Sequence, residues 1–489
     1  MIIIKVNNTY SYYIGTVYPE ILEKCTLSQM QFYRIKGTGE IKRKESKRCY
    51  FLKDSNKFPT GWIFSHIIPT LKQMGIEYTI IDEREEIVNN KLKVNYEFKP
   101  YNYQQECISL CTTEGKERGI ISIATGGGKT FVASNIVAYY GQKTLYIVPS
   151  LLLLYQTEKE FIRWFGKKKV GIVGDGEFSP ALITIATAQT LWSRKEDPKI
   201  KEILENCKVL IMDEAHKISR PTKQNKYMGN TWYTIAMKAC NAKIRLGFTA
   251  TPGKEESYSH QLLKACTGKV IYTKTLSELM MEGYLTKLKV ILYENIISNQ
   301  INTWSKAYSA NIIGNESRNK LIIDKAVELA DESKRVLIIV NRIERHGKVL
   351  MDMFLKYYPS IEVESLYGSD NSEIRKDVLK RFVNFETKII VSTIIREGVD
   401  LPAMDAIIIA LAGKGGEAGR DLIQKLGRVV RKCKNKESAT LIDIFDNDGY
   451  IKYLDTKGIE RAKPCILLRH SNQRLKIYES EPMIEIIRK

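Results

Sequence analysis

Short, wholly apolar runs punctuate the chain at regular intervals, and most of them end on a glycine, a hydroxyl or a carboxylate. Ile120, Ile121 and Ile123 precede a glycine cluster; Leu145 to Val148 ends in Pro149 and Ser150; Ile183 to Ala186 ends in Thr187. Val209 to Met212 leads into Asp213, and Ile244 to Phe248 leads into Thr249, Ala250, Thr251 and Pro252. A second series follows: Val336 to Val340 before Asn341 and Arg342, then Ile389 to Val391 before Ser392 and Thr393. Runs this short, with no polar alternation, predict strands covered on both faces. Segments at helical spacing, such as Phe131 to Tyr140, lie between them. The pattern therefore predicts an α/β protein built on doubly wound parallel sheets.

The first hundred residues read differently. MIIIKV at the start predicts an edge or core strand, because neither a basic leader nor a small-residue cleavage site accompanies it. FPTGWIF opens an amphipathic stretch reaching Lys72, Tyr78 to Ile81 is strand-like, and the acidic run Asp82 to Glu86 marks a linker or exposed boundary. A small α+β segment ahead of the larger sheets is expected. At 489 residues the chain exceeds one core, which predicts two large domains and an accessory piece.

The strand ends carry the candidate chemistry. Residues 124 to 130 read ATGGGKT between a predicted strand and a predicted helix. Thr125, Gly126, Gly127 and Gly128 would let backbone N-H groups turn inward on phosphates at the positive end of that helix. Lys129 could reach the β and γ phosphates of ATP, and Thr130 could ligate Mg²⁺. The general phosphate-loop pattern asks for glycine where this chain has Ile123. Residues 213 to 216 read DEAH behind four apolar residues. Asp213 is placed to hold Mg²⁺ and Glu214 to polarise the attacking water.

Charge adds a partner. Lys and Arg number 76 against 56 Asp and Glu, a net +20, which points to a polyanion such as nucleic acid. A composition rich in Lys, Ile, Asn and Tyr would give the same excess from codon bias. Residues 42 to 48 read KRKESKR after a turn at Gly37 and Gly39, with Phe32, Tyr33, Tyr50 and Phe51 interleaved. They suggest a basic hairpin in which Lys42, Arg43, Lys44, Lys47 and Arg48 touch DNA, or a solvated hairpin around an aromatic core. Nine cysteines with no CxxC pair argue for core thiols in a reducing cytoplasm rather than for zinc or disulfides. No apolar run approaches the roughly 18 residues of a membrane span.

In their order, the motifs between residues 101 and 431, about two thirds of the chain, resemble those of superfamily 2 helicases and translocases. That resemblance implies two tandem RecA-like domains, residues 96–285 and 286–489, after an accessory domain at 1–95. It implies that Gln104, in YNYQQE, reads adenine, with Gln105 as a neighbouring competitor. His216, Thr249 and Thr251 would link hydrolysis to strand movement, and Gln424 would meet His216. Gly398 and Asp400 would contact the nucleotide. Arg428 and Arg431, in LIQKLGRVVR, would supply finger-type positive charge in the transition state. Pro149, Ser150, Thr187, Asn341 and Thr393 would hold the nucleic-acid backbone without reading bases.

Within the superfamily, SELMMEGYLTKLKV (277 to 290) and SRNKLIIDKAVELA (317 to 330) resemble the UvsW group of phage branch-migration helicases. This implies a DNA motor acting on forks, displacement loops and four-way junctions in recombination, repair and replication, alongside proteins of those processes. An RNA helicase, an ATP-gated nucleic-acid clamp and the motor of a restriction or repair system are the alternatives.

Overall fold

In a computed structural model of the chain, the apolar runs form strands and the spaced segments form helices. The structure describes residues 1–34, 41–219, 231–341, 343–367, 372–393, 404–413, 422, 426–427, 429–432, 436, 438–454 and 459–489. Side chains are described for these apart from residues 31–34, 41, 343–344, 372 and 375–376. Two compact units are distinguished: Met1–Ile123 with Gly128–Lys274, and Ala124–Gly127 with Thr275–Lys489.

The first unit begins with strands β1 (Ile2–Val6), β2 (Tyr10–Ile14), β3 (Thr26–Arg34), β4 (Ile41–Cys49), β5 (Lys57–Pro59) and β6 (Tyr78–Asp82). Four of them make a sheet in the order β5-β2-β1-β6. Ile2, Ile4 and Val6 point inward and Ile3 and Lys5 are half-buried, so the opening apolar run is a strand with one face on the core. β3 and β4 pair only with each other, as an antiparallel ribbon running from Thr26↔Cys49 to Arg34↔Ile41.

Residues 83–101 then run without regular structure. Their backbone is nonetheless fixed: the amides of Asn90, Leu92 and Asn95 donate to the carbonyls of Tyr140, Ala138 and Trp164. The acidic boundary is pinned as well, with Lys5 Nζ 2.8 Å from Glu83 and Arg84 bridging Asp82 and Glu117.

Eight further strands follow: β7 (Arg118–Ile123), β8 (Thr144–Val148), β9 (Val170–Gly174), β10 (Glu177–Phe178), β11 (Ile183–Thr187), β12 (Val209–Met212), β13 (Ile244–Thr249) and β14 (Val270–Lys274). Their order is β10-β9-β11-β8-β12-β13-β7-β14, parallel except for β10. Because the strands are parallel, Gly128, Pro149, Thr187, Asp213 and Thr249 all fall at one edge, the carboxyl ends where such sheets bind ligands.

The accessory strands share an apolar core with this sheet. Trp62, Ile63 and Ile67 are continuous with Leu262, Leu263 and Ala265 of the helix Tyr258–Thr267. Trp62 is fully buried and its Nε1 donates to the Gln261 carbonyl at 3.0 Å. Beside it, a Cβ on Gly61 would collide with the carbonyl oxygens of Lys264 and Ala265, so only glycine lets the two backbones approach. Tyr50 and Phe51, left open by the sequence between DNA contact and core, are core residues with 3% exposure each.

The second unit holds β15 (Lys287–Ile296), β16 (Val336–Ile339), β17 (Val363–Leu366), β18 (Ile389–Ser392), β19 (Ala406–Ile409), β20 (Ser438–Asn447), the ribbon β21 (Tyr450–Leu454) with β22 (Glu460–Pro464), and β23 (Ile484–Arg488). Its sheet, β17-β18-β16-β19-β20-β15-β23, is parallel throughout. Two guanidinium groups are buried against β20. Arg318 binds Asp446 through Nε at 2.7 Å and Nη2 at 3.0 Å, and Arg474 Nε lies 2.8 Å from Asp443. Both folds are thus the RecA-like doubly wound sheets expected.

Candidate active site

β7 ends at Ile123, and the chain turns through Ala124–Gly128 into the helix Lys129–Tyr140. Gly126 and Gly128 have φ of 89° and 75°, the left-handed region that a side chain would strain. The Gly127 amide donates to Ala124 O at 3.0 Å, and Val132 N to Gly128 O at 3.0 Å, which closes the first helical turn. Lys129 Nζ donates to the Ile123 carbonyl at 3.3 Å, which ties the ammonium back to the end of β7. Ile123, where the general pattern asks for glycine, meets Lys129 through its carbonyl and is itself fully buried.

A Cβ on Gly128 would stand 2.6 Å from Gln104 Nε2, so this loop abuts the glutamine amide. Gln104 is buried, and its Oε1 accepts from Tyr101 N at 2.9 Å. Gln105 is exposed and donates to Ser109 Oγ at 3.2 Å along its own helix. Of the two candidates, Gln104 is the one beside the phosphate loop.

Asp213 follows β12 and is 5% exposed. Burial, then the neighbouring Glu214 carboxylate, push it up to about 7, while the ammonium groups of Lys129 and Lys217 oppose the rise. A carboxylate this costly to ionise alone suits a site meant for a cation, and with Thr130 nearby in the phosphate loop the donor set is the hard oxygen type Mg²⁺ prefers. Glu214 has φ of 49°, a strained value for a residue with a side chain. From that backbone its carboxylate reaches His216, whose Nδ1 lies 3.3 Å from Oε2. The same nitrogen is 3.0 Å from Thr249 Oγ1, which also accepts from Thr251 N at 3.1 Å. One hydroxyl therefore ties the DEAH turn to the TATP turn.

Two of the hydroxyls expected on nucleic acid, those of Ser150 and Thr187, have local partners. Ser150 caps the helix Leu151–Phe165 by accepting from Leu153 N, and Thr187 caps Ala188–Ser193 by accepting from Thr190 N. Thr187 is almost fully buried. Pro149 is half-buried beside Ser150. Asn341 is exposed and Thr393 half-buried, following the neighbouring strands β16 and β18. Lys42, Arg43, Lys44, Lys47 and Arg48 are all exposed on β4. Arg431 is half-buried after the buried pair Val429 and Val430. Gln424, Arg428, Gly398 and Asp400 lie outside the described residues, as do Gly37 and Gly39.

Sequence reading missed Lys217, whose side chain is 8% exposed and charges the DEAH turn, and His260, whose Nδ1 donates to the Pro252 carbonyl at 3.0 Å. A lysine one residue beyond DEAH was the available signal for the first. The second carries none.

Residues 97–254 match the family described as type III restriction enzyme, res subunit, and residues 319–433 match the helicase conserved C-terminal domain. The chain is 29% identical to the DNA 3'-5' translocase XPB2 of Sulfurisphaera tokodaii, over 76% of this chain and 86% of that protein. It is 24% identical to the ATP-dependent DNA helicase uvsW of Enterobacteria phage T4, over 82% and 81% respectively. Its fold is like that of the ATP-dependent type ISP restriction-modification enzyme LlaBIII, with a TM-score of 0.57, 16% identity, and coverage of 87% of this chain and 34% of that one. The two sheets and the paired phosphate-loop and DEAH motifs define an ATP-dependent helicase of superfamily 2, and the chain belongs to that superfamily. Within it, the protein resembles UvsW.

Proposed function

We propose that the protein is a DNA-directed motor that remodels branched DNA, hydrolysing ATP at the strand ends of its first sheet. The observation that carries this reading is the exposed basic strand β4, built into the same compact unit as Gly128, Lys129 and the DEAH turn. Five cations on a ribbon of this kind supply a sequence-independent grip on phosphates. Relatives named as a DNA translocase and a DNA helicase support DNA as the substrate.

In this reading Gly126, Gly127 and Gly128 cradle the phosphates, Lys129 neutralises them, and Gln104 recognises the base. Thr130 and Asp213 would hold Mg²⁺, which when bound offsets the charge that builds on the phosphates. Glu214 orients the attacking water and accepts its proton. Arg428 and Arg431 stabilise the developing charge. His216, Thr249 and Thr251 relay the state of that site to the rest of the first sheet.

The restriction-enzyme match over residues 97–254 favours a second reading, a motor that runs along unbranched duplex. Measuring ATPase stimulation by single-stranded DNA, plain duplex, a fork, a four-way junction and RNA separates the two. Stimulation by fork and junction well above plain duplex is expected. Equal stimulation by plain duplex favours the restriction-type motor, strongest stimulation by RNA overturns DNA as substrate, and stimulation without strand displacement indicates a clamp.

A further inference from the structure

We propose that Tyr50 and Tyr258 are positioning residues that carry DNA contact at the basic ribbon to the catalytic glutamate. The proposal rests on the reading of β4 as a DNA-binding strand. Tyr50 is the first residue after β4, and its hydroxyl lies 2.7 Å from that of Tyr258. Tyr258 opens the helix Tyr258–Thr267, whose first turn is capped by Ser257. Two residues on, His260 donates through Nδ1 to the carbonyl of Pro252, the last residue of TATP. From there the hydrogen bonds already described continue through Thr251 and Thr249 to His216 and Glu214.

The outer end of this route is tied to the ribbon's charge. The guanidinium of Arg48 sits 5.0 Å above the Tyr50 ring, a cation–π contact that competes with any phosphate Arg48 would bind. The ring itself is held edge-on by Tyr233 at 5.3 Å and Trp62 at 5.9 Å. It cannot slide away when Arg48 moves, so the change in its surroundings reaches the hydroxyl. The helix that receives it is the same one that Trp62 and Gly61 lock to the accessory segment. A shift of that helix by a few tenths of an ångström would alter the Pro252 contact and, through it, the turn that holds Thr249.

Phenylalanine at either position keeps the ring packing and removes the hydroxyl, so the full-length chain is expected to fold. ATP turnover is measured against increasing concentrations of a forked DNA. Tyr50→Phe and Tyr258→Phe should each lower maximal DNA-stimulated turnover by about fivefold, the equivalent of one neutral hydrogen bond. Half-saturating DNA and turnover without DNA should stay at wild-type values, and the double variant should fall no further than either single. Neutralising Lys42, Arg43, Lys44, Lys47 and Arg48 together should instead raise the half-saturating DNA concentration.

Wild-type maximal turnover in both single variants overturns the route while leaving the DNA-binding reading intact, provided the charge variant binds weakly. Additive losses in the double variant, or an equal fall without DNA, mean a general structural role and also overturn it. An unchanged half-saturating concentration in the charge variant overturns both the reading and the route.

Discussion

The imidazole of His216 and the hydroxyl of Thr249 meet at 3.0 Å, joining the two strand ends that flank the catalytic edge, β12 and β13. Because Thr249 also accepts from the Thr251 amide, its hydroxyl must present a lone pair to that N-H and has its proton or remaining lone pair for the histidine. Thr249→Val keeps the shape and removes the link. Unwinding per ATP hydrolysed should fall about tenfold, within the usual range of coupling between sites, while DNA-stimulated turnover stays near wild type. Parallel losses of both would place Thr249 in the hydrolytic step instead.

Glu214→Gln should bind ATP with normal affinity but hydrolyse it about 10² to 10⁴ times more slowly, the contribution of a positioned base. Lys129→Ala should lose turnover together with nucleotide affinity. Single-turnover hydrolysis combined with equilibrium binding of a labelled nucleotide distinguishes the two, and wild-type turnover in Glu214→Gln would remove the glutamate from the mechanism.

Arg431→Ala should reduce turnover by about 10³ with little change in ATP affinity, as expected of a group that engages only the developing charge. Arg428→Ala is expected to behave alike. A helix end that is merely basic would leave both rates intact with DNA bound.

His66 is stacked on Trp62 at 4.7 Å, and burial, then the Lys264 charge, press its imidazole down to about 4. A histidine depressed in the folded state adds stability that is complete above its ordinary value near 6.5 and is lost as pH falls toward 4. Between pH 7 and about 4.5 the wild type should therefore lose about 2 kcal/mol more than His66→Gln, read from urea midpoints at each pH. Equal losses would show that other groups set the acid limit of the first unit.

The Arg318 and Asp446 pair is fully buried, and Asn295 Nδ2 also donates to the same carboxylate at 2.8 Å. Arg318→Met leaves a buried carboxylate without its cation and should cost about 3 to 5 kcal/mol of unfolding free energy. Adding Asp446→Leu should restore most of it, because two apolar side chains of similar size leave no unpaired charge. If the double variant is no more stable than the single, packing rather than charge holds the pair.

The sheets were legible because a buried parallel strand has a local signature: Val209 to Met212 cannot be half-exposed without cost. The strand ends were legible for the same reason, since each run stops where a polar residue is needed. The left-handed backbone of Glu214 was not, because nothing about a glutamate after an aspartate announces a positive φ. Neither was the partner of Trp62, a carbonyl 199 residues away. The pattern marked an amphipathic stretch from FPTGWIF to Lys72 and could say no more. Likewise Ser150 and Thr187 could be read as strand-end hydroxyls, but only the following backbone amides reveal how far helix capping already occupies them.

The seat of Trp62 on the helix Tyr258–Thr267 has a consequence for the protein's history and for its engineering. A tethered accessory domain can be exchanged by cutting the tether, and its host evolves without regard to it. Here a hybrid joined near residue 95 would leave an indole-shaped socket open on the motor and an unmatched tryptophan on the graft, with Gly61 parted from the carbonyls of Lys264 and Ala265. Substitutions on one side of the seam must be answered on the other. The accessory piece and the first motor sheet pack as a single part, and a working chimera would have to carry the helix along with the hairpin.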